Sequence, residues 1–443
     1  MEQLALPLRA LYQMGTATLG NPYIILALII FIVLYAGITF EHQHGFAKEP
    51  LALIGGVGLY LLARLAMGDS IEHALVEVES EIFEIIMFLF PAMILVELLL
   101  QMGFFTLLQS FLQKQGYRDR KQFRILSFLT FFLSAVLDNL TTTLVMINMV
   151  NQSFKDRNRH IAGAGTVANA NAGGAWSPIG DVTTIMLWLA GKFTAVQVVL
   201  IGILPAVFHG LVVTFLLGRK MTESEAEPVT IEAPRFSRGQ KIVMAVALAC
   251  FSLPLIFSQV GAPPYMGLLL GLGVTWLLQQ HLAKNDDATA TAEDHHVANL
   301  IRLVDHRTLF FFTGILLMVG ALGLIQALLV TSNLLLGDSP DAFRTYAFIF
   351  LLGPLSAIVD NVPLTALAID VINFQDHWQG VFLALCVGTG GSALIIGSVA
   401  GVVAMGRVEG LNSKVYAGLM VLPVLTAYII QTIVFMIQYR LFS

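Results

Sequence analysis

Two stretches, LSAVLDNLTTT from Leu133 and LSAIVDNVPLT from Leu355, carry the same Leu, Ser, Ala, Asp, Asn and Thr at matching positions. Each sets a carboxylate, Asp138 or Asp360, inside an apolar run and follows it with an amide, Asn139 or Asn361. Neutral oxygens lie close by: Thr141, Thr142 and Thr143 after the first, Thr365 after the second, and Ser134 and Ser356 one turn before each Asp. A carboxylate among hydroxyl and amide oxygens is the ligand set of a hard cation. The plainer reading is that Asp and Asn cap a helix beginning at that point. Serine would cap as well, whereas an Asp at the centre of a membrane helix costs roughly 3 kcal/mol. Two intramembrane carboxylates therefore read as parts of an ion site, with capping as a coexisting role.

A third polar segment, NANAGGAWSPIGDVTT from Asn169, holds Asn169, Asn171, Ser177, Asp181, Thr183 and Thr184 around Gly173, Gly174 and Pro178. The glycines and proline would break a helix and free carbonyls able to coordinate a cation; a proline kink satisfied by its neighbours is the alternative. TGGSALIIGS from Thr389 aligns with AGGAWSPIGD from Ala172 and places Ser398 opposite Asp181. Na⁺ is accordingly expected in the region of Asp138, Asp181 and Asp360, nearer the first copy. GTGGSALIIGSVAGVVAMG lacks the Lys-Ser/Thr ending of a phosphate loop. Its Gly397 and Gly401, spaced as GxxxG, predict close helix packing, and Ser392 and Ser398 are weaker site candidates. Glu97 and His209 lie inside apolar runs and are proton-relay candidates, although a buried, hydrogen-bonded histidine is the more frequent case. Glu72, Glu77, Glu79, Glu81 and Glu84 read as a solvated helix face or as an acidic entrance that concentrates cations. His295 and His296 sit in a hydrophilic loop and read as inert.

Such residues need a scaffold that holds them in lipid. Of the 443 residues 12% are charged and 57% hydrophobic, with a mean hydropathy of +0.79, against about 25% charged in a soluble protein. The composition is that of an all-α polytopic membrane protein. Apolar runs near 23–40, 50–67, 85–113, 195–218, 242–258, 265–281, 308–331 and 415–438 approach the roughly 20 residues a crossing needs. With two broken helices near 161–190 and 379–405, they make about ten transmembrane helices. Cys250 and Cys386 are too isolated for a disulfide framework or metal cluster. Arg9 is the one basic residue before Asn21, and no removable signal peptide is expected.

Basic loops stay cytoplasmic. The segment 123–152 is basic at both ends, with Lys114, Arg118, Arg120, Lys121 and Arg124 at its start and Lys155, Arg157 and Arg159 after it. One helix there would be about 45 Å long, so a re-entrant hairpin turning at Asp138 and Asn139 is predicted. Segment 344–372 has acidic flanks and predicts a hairpin from the opposite side. Alternating the remaining runs places the loops at 41–49, 114–124, 153–160, 219–241, 282–307 and 406–414 inside, where they hold most of the 24 lysines and arginines, and both termini outside. The order of elements over 1–219 then recurs over 241–443 upside down, with 220–240 as a cytoplasmic linker. Inverted repeats that bind at the midplane between broken helices are a plan of secondary transporters.

Two or three carboxylates among neutral oxygens would repel dicarboxylates and oxyanions. Desolvation and repulsion keep a proton on such a group until a cation displaces it. A group that holds either H⁺ or Na⁺, but not both, couples opposite fluxes if only loaded forms reorient. The expected function is exchange of Na⁺ or Li⁺ for H⁺ by alternating access, with no cofactor beyond the transported ions, no enzymatic activity, membrane lipid as surroundings and no nucleic-acid partner. The rival is a sodium-coupled anion symporter of the same architecture, opposed by the lack of Lys or Arg in either hairpin turn. A channel or an integral-membrane enzyme stands further off.

DNLTTT at Asp138, DNVPLT at Asp360 and NANAGGAWSPIGDVTT together resemble the NhaD-type sodium/proton antiporters of the ion transporter superfamily, which also holds arsenite-type permeases and divalent anion/sodium symporters. The resemblance covers most of the chain. It implies a bacterial inner-membrane antiporter, with Asp138, Asn139, Asp181, Thr183, Thr184, Asp360 and Asn361 matching the functional pattern, and a homodimer with a scaffold part and a moving transport part. In the anion carriers the hairpins are built on neutral Ser-Asn-Thr, so aspartate at both tips implies a cation.

Overall fold

Runs of apolar residues uninterrupted by polar groups become long single helices, since in lipid each backbone polar group must be satisfied within its own segment. The computed structural model describes residues 21–41, 45–68, 72–113, 117–223, 236–283, 297–337 and 340–443. Among these residues the chain is helical, with no strand. In order the helices are α1 (Pro22–Thr39), α2 (Lys48–Met67), α3 (Glu72–Gln101), α4 (Phe104–Gln113), α5 (Asp119–Leu137), α6 (Asn139–Ser153), α7 (Asp156–Gly174), α8 (Val182–Leu189) and α9 (Ala195–Gly218). There follow α10 (Arg238–Cys250), α11 (Leu253–Gln259), α12 (Pro264–Ala283), α13 (Val297–Leu300), α14 (His306–Leu324), α15 (Ala327–Leu336), α16 (Ala342–Ser356), α17 (Asn361–Val371), α18 (His377–Gly390), α19 (Val399–Arg407) and α20 (Ser413–Phe442).

Seven segments among the described residues are long and apolar enough to cross a membrane: α1, α2, Ala74–Gln101 of α3, α9, Arg238–Gln259, α14 and α20. Their outward side chains are apolar; Leu65, Leu200, Leu277 and Leu422 are each more than two-thirds exposed. Large contiguous apolar surface of this kind marks a membrane-facing protein. Three of the expected crossings are divided. The run 85–113 belongs to a helix that starts at Glu72 and ends before Gly103, whose φ of 78° suits glycine. The run 308–331 divides in the same way at Gln326, φ 64°, and 242–258 divides at Phe251 and Ser252 ahead of Pro254. The acidic start of α3 is largely exposed, and Glu79 accepts a hydrogen bond from Tyr60 Oη at 3.4 Å.

The polar segments form short helices that pair at their tips. Helices α5 and α6 make one hairpin, α16 and α17 another, and α7–α8 and α18–α19 are the two broken helices. Packing crosses between the two series: α2 lies on α14, α3 on α12, and α9 on α20. Helix α8 packs on α17 and α19 on α6, so each broken helix also meets the other hairpin.

At one end of the bundle a polar clamp fixes the base of the first hairpin. Asn158 donates to Asp119 and to Thr222 O (2.7 Å), Arg120 Nη2 donates to Met221 O (2.9 Å), and Arg159 pairs with Glu409 at 3.2 Å. Lys220, its ammonium pKa lowered by burial and by Arg157, donates to Leu419 O at 3.0 Å. Most of the linker expected at 220–240 lies outside the described residues, as do His295 and His296.

Candidate cation site

Asp138 ends α5 and caps α6 in one residue. Its φ of 70° and ψ of 157° put a side-chain-bearing residue in a region usually reserved for glycine, at a cost of order 1–3 kcal/mol. The strain is offset by capping: Thr141 N–H donates to Oδ1 and Thr141 Oγ1–H to Oδ2, each at 2.8 Å. Asp360 caps α17 without strain, at φ −50°, accepting from Val362 N–H at 3.1 Å. Asp181 caps α8, accepting from Thr183 Oγ1–H at 2.9 Å, and Ser398 caps α19 in the equivalent place.

The hairpins and breaks lock together through matching atoms in the two halves. Ser134 Oγ–H donates to Ala170 O at 2.6 Å, and Ser356 Oγ–H to Val387 O at 2.8 Å. A Cβ on Gly180 would stand 2.5 Å from Ser134 O, and one on Gly397 would stand 2.6 Å from Ser356 O. Gly397 and Gly401 therefore do not form the GxxxG helix face that their spacing predicts. They lie at the break, where Gly397 meets the second hairpin and Gly401 meets the Ile395 carbonyl.

The first hairpin tip and the first break open onto one cavity of about 50 Å³, lined by Asp138, Asn139, Asp181, Thr308 and Asn361 among apolar neighbours from α3 and α14. It has room for a few waters or a small ion. Among the described residues no Lys, Arg or His lines it, and neither Asp138 nor Asp181 has an ion-pair partner. Asp360 does not line this cavity, although its neighbour Asn361 does. It lines a second cavity of about 40 Å³ with Thr39, Glu41 and Lys48, and its Oδ2 is 3.8 Å from Lys48 Nζ.

The other predicted residues separate into supports and bystanders. Asn171 is a hub: it accepts from Asn139 Nδ2 at 3.1 Å and donates to Ser392 Oγ and Ser398 Oγ at 3.0 Å each, joining the two breaks. Asn169 bonds Gly165 O and Thr214, Thr365 bonds Asn361 O in its own helix, and Thr184 bonds Gly174 O at 3.4 Å. Thr142 is buried, and its hydroxyl has no partner among the described residues. Glu97 accepts from Gln101 at 2.8 Å and does not line the cavity. His209 is fully buried, but among the described residues neither ring nitrogen has a partner, contrary to the hydrogen-bonded histidine expected there. Lys48 escaped the sequence reading because it looked like one more basic loop residue. Asn171→Ala would leave Asn139, Ser392 and Ser398 short of partners and is expected to destabilise the fold by roughly 2 kcal/mol, read as a lower thermal midpoint in detergent.

The citrate transporter family (CitMHS) matches residues 25–388. Sodium/proton antiporter 1 of Arabidopsis thaliana is 33% identical over 421 residues, 91% of this chain and 71% of that one. The Na⁺/H⁺ antiporter NhaD of Vibrio parahaemolyticus is 31% identical, over 88% of this chain and 93% of that one. NhaD of Alkalimonas amylolytica is 29% identical, covering 86% and 83%. Among solved structures, the Alcanivorax borkumensis YdaH transporter superimposes with a TM-score of 0.53 at 13% identity, over 95% of this chain and 99% of that one, a likeness of fold. These relatives are transporters, not enzymes, and the chain, a multi-pass membrane protein, belongs to the citrate transporter family and within it to the NhaD type of sodium/proton antiporter.

Proposed function

We propose that the protein exchanges Na⁺ or Li⁺ for H⁺, with the Asp138–Asp181 cavity holding one or the other. The observation that carries this reading is two carboxylates on one small cavity with neutral oxygens around them and no cationic side chain on its wall. An ion or a proton must then compensate charge that the protein leaves uncompensated. Two protons or one cation with a residual proton can satisfy the pair, and competition between them couples the fluxes when only a compensated cavity crosses the membrane. The names of the NhaD relatives support the same exchange.

In this reading the repeats are 1–219 and 241–443, inserted oppositely, and the hairpin tips approach the cavity from opposite sides by alternating access. The protein sits in a bacterial inner membrane as a homodimer, with both termini periplasmic. Thr141, Thr142, Asn139 and Asn361 supply neutral oxygen or orient the tips, and Thr183 and Thr184 hold the break. An anion symporter, which the family's citrate description would favour, needs cationic side chains where this cavity has aspartates.

Everted vesicles carrying a pH-sensitive dye test the reading. Na⁺ and Li⁺ are expected to dissipate a preformed proton gradient, with K⁺ and succinate inactive. A response to succinate alone would replace exchange by symport.

A further inference from the structure

Asp138 and Asp360 hold corresponding places in the two hairpins, yet among the described residues only Asp360 has a cationic side chain beside it. Lys48 is the first residue of α2, where the helix dipole disfavours positive charge and Glu or Asp is preferred. A sequence that breaks a local rule at such a position does so for a tertiary reason. Three contacts hold the residue there. Its backbone N–H donates to Glu41 Oε1 at 3.3 Å, its ammonium stands 4.3 Å from the centroid of the buried Phe311 ring, and the same ammonium reaches Asp360 Oδ2 at 3.8 Å. Both side chains of the pair are shielded, at 20% and 15% exposure. Asp360 Oδ1 is engaged by Val362 N–H, which leaves Oδ2 to the ammonium. Glu41 lines the same cavity, and Arg307 pairs with Glu49 at 3.2 Å.

We propose that Lys48 is a resident cation for Asp360, occupying at the second hairpin the place that transported Na⁺ takes at the first. The exchange reading above is its premise. A lysine ammonium is a compact point charge on a flexible stem, so it can stand in for a monovalent ion. While it is seated, Asp360 offers no second cation site, and each chain carries its Na⁺ at Asp138 and Asp181 alone. Lys48 is thus a specificity-determining residue that limits how many cations the duplicated carboxylates accept.

The test is Na⁺ binding and exchange in Lys48→Gln, Lys48→Arg and the double variant Lys48→Gln/Asp360→Asn, each checked for monodispersity in detergent. With Lys48→Gln the half-saturating Na⁺ concentration is expected to fall roughly fivefold, the scale of releasing a shielded ion pair, and radioactive Na⁺ bound per purified chain is expected to rise. Lys48→Arg, which keeps the positive charge beside Asp360, is expected not to show the gain, and the double variant loses it. A merely structural lysine would not tighten Na⁺ binding when removed. Unchanged half-saturation and unchanged Na⁺ per chain in a monodisperse Lys48→Gln would overturn the proposal, as would weaker binding in Lys48→Gln that Lys48→Arg restores. Absence of Na⁺-driven proton movement in the wild type would instead overturn the exchange reading beneath it.

Discussion

Asp138→Asn is expected to lower Na⁺-driven proton release from everted vesicles by about a hundredfold while leaving the protein folded. The substitution is close to isosteric, and Asn serves as an N-cap about as well as Asp. It also tolerates positive φ better than most residues, so the Thr141 N–H bond and the strained tip can persist. What disappears is the charge. A hydrogen-bonded charged ligand contributes about 1.5–3 kcal/mol, and at tenfold per 1.4 kcal/mol the upper figure corresponds to roughly two decades in Na⁺ affinity. The neutral amide also binds no transferable proton, so exchange is lost on both sides of the cycle. Initial rates against Na⁺ concentration, with detergent gel filtration as the folding control, read this directly. Near-wild-type exchange would remove Asp138 from the site.

The second large effect is on the scaffold. Gly173→Ala puts a Cβ into the carbonyl of Phe131, and Gly390→Ala puts one into the carbonyl of Gly353. In each case the obstacle is backbone of the adjacent hairpin arm, which no rotamer change can clear, so hairpin and broken helix must part. Overpacking of this kind costs about 3 kcal/mol or more. It would also misalign Ser134 with Ala170 O, or Ser356 with Val387 O. Both variants are expected to give little monodisperse protein. Gly58→Ala, where a Cβ meets nothing within 4 Å, is the control expected to express normally.

The sequence was informative where lipid leaves few choices. Asp138, Asp181 and Asp360 each cap a helix, so the turns stand where these carboxylates stand. Alignment of Ala172 with Thr389 likewise anticipated the paired breaks. Features that depend on which helices meet were not legible. Lys48 and Asp360 are far apart in the chain and meet only because α2 packs on α14 beside the second hairpin. Asn171 reaches Ser392 and Ser398 in the other half, a link that no local pattern announces. GxxxG misled because glycine spacing is common to helix faces and to breaks where backbones cross. The divisions at Gly103 and Gln326 were invisible because hydropathy continues through them. Asp138 and Asp360 looked equivalent as sequence, yet one lines a cavity free of cationic side chains and the other faces an ammonium.

The proposed exchange requires that Na⁺ and H⁺ compete for the cavity of Asp138 and Asp181. Purified wild-type protein in weakly buffered detergent solution, titrated with NaCl against choline chloride while a dye follows pH, measures that competition without vesicles. Proton release that saturates with Na⁺, is absent with choline and disappears in Asp138→Asn and Asp181→Asn is the predicted result. Saturable Na⁺ binding that releases no protons would rule out competition between the two ions.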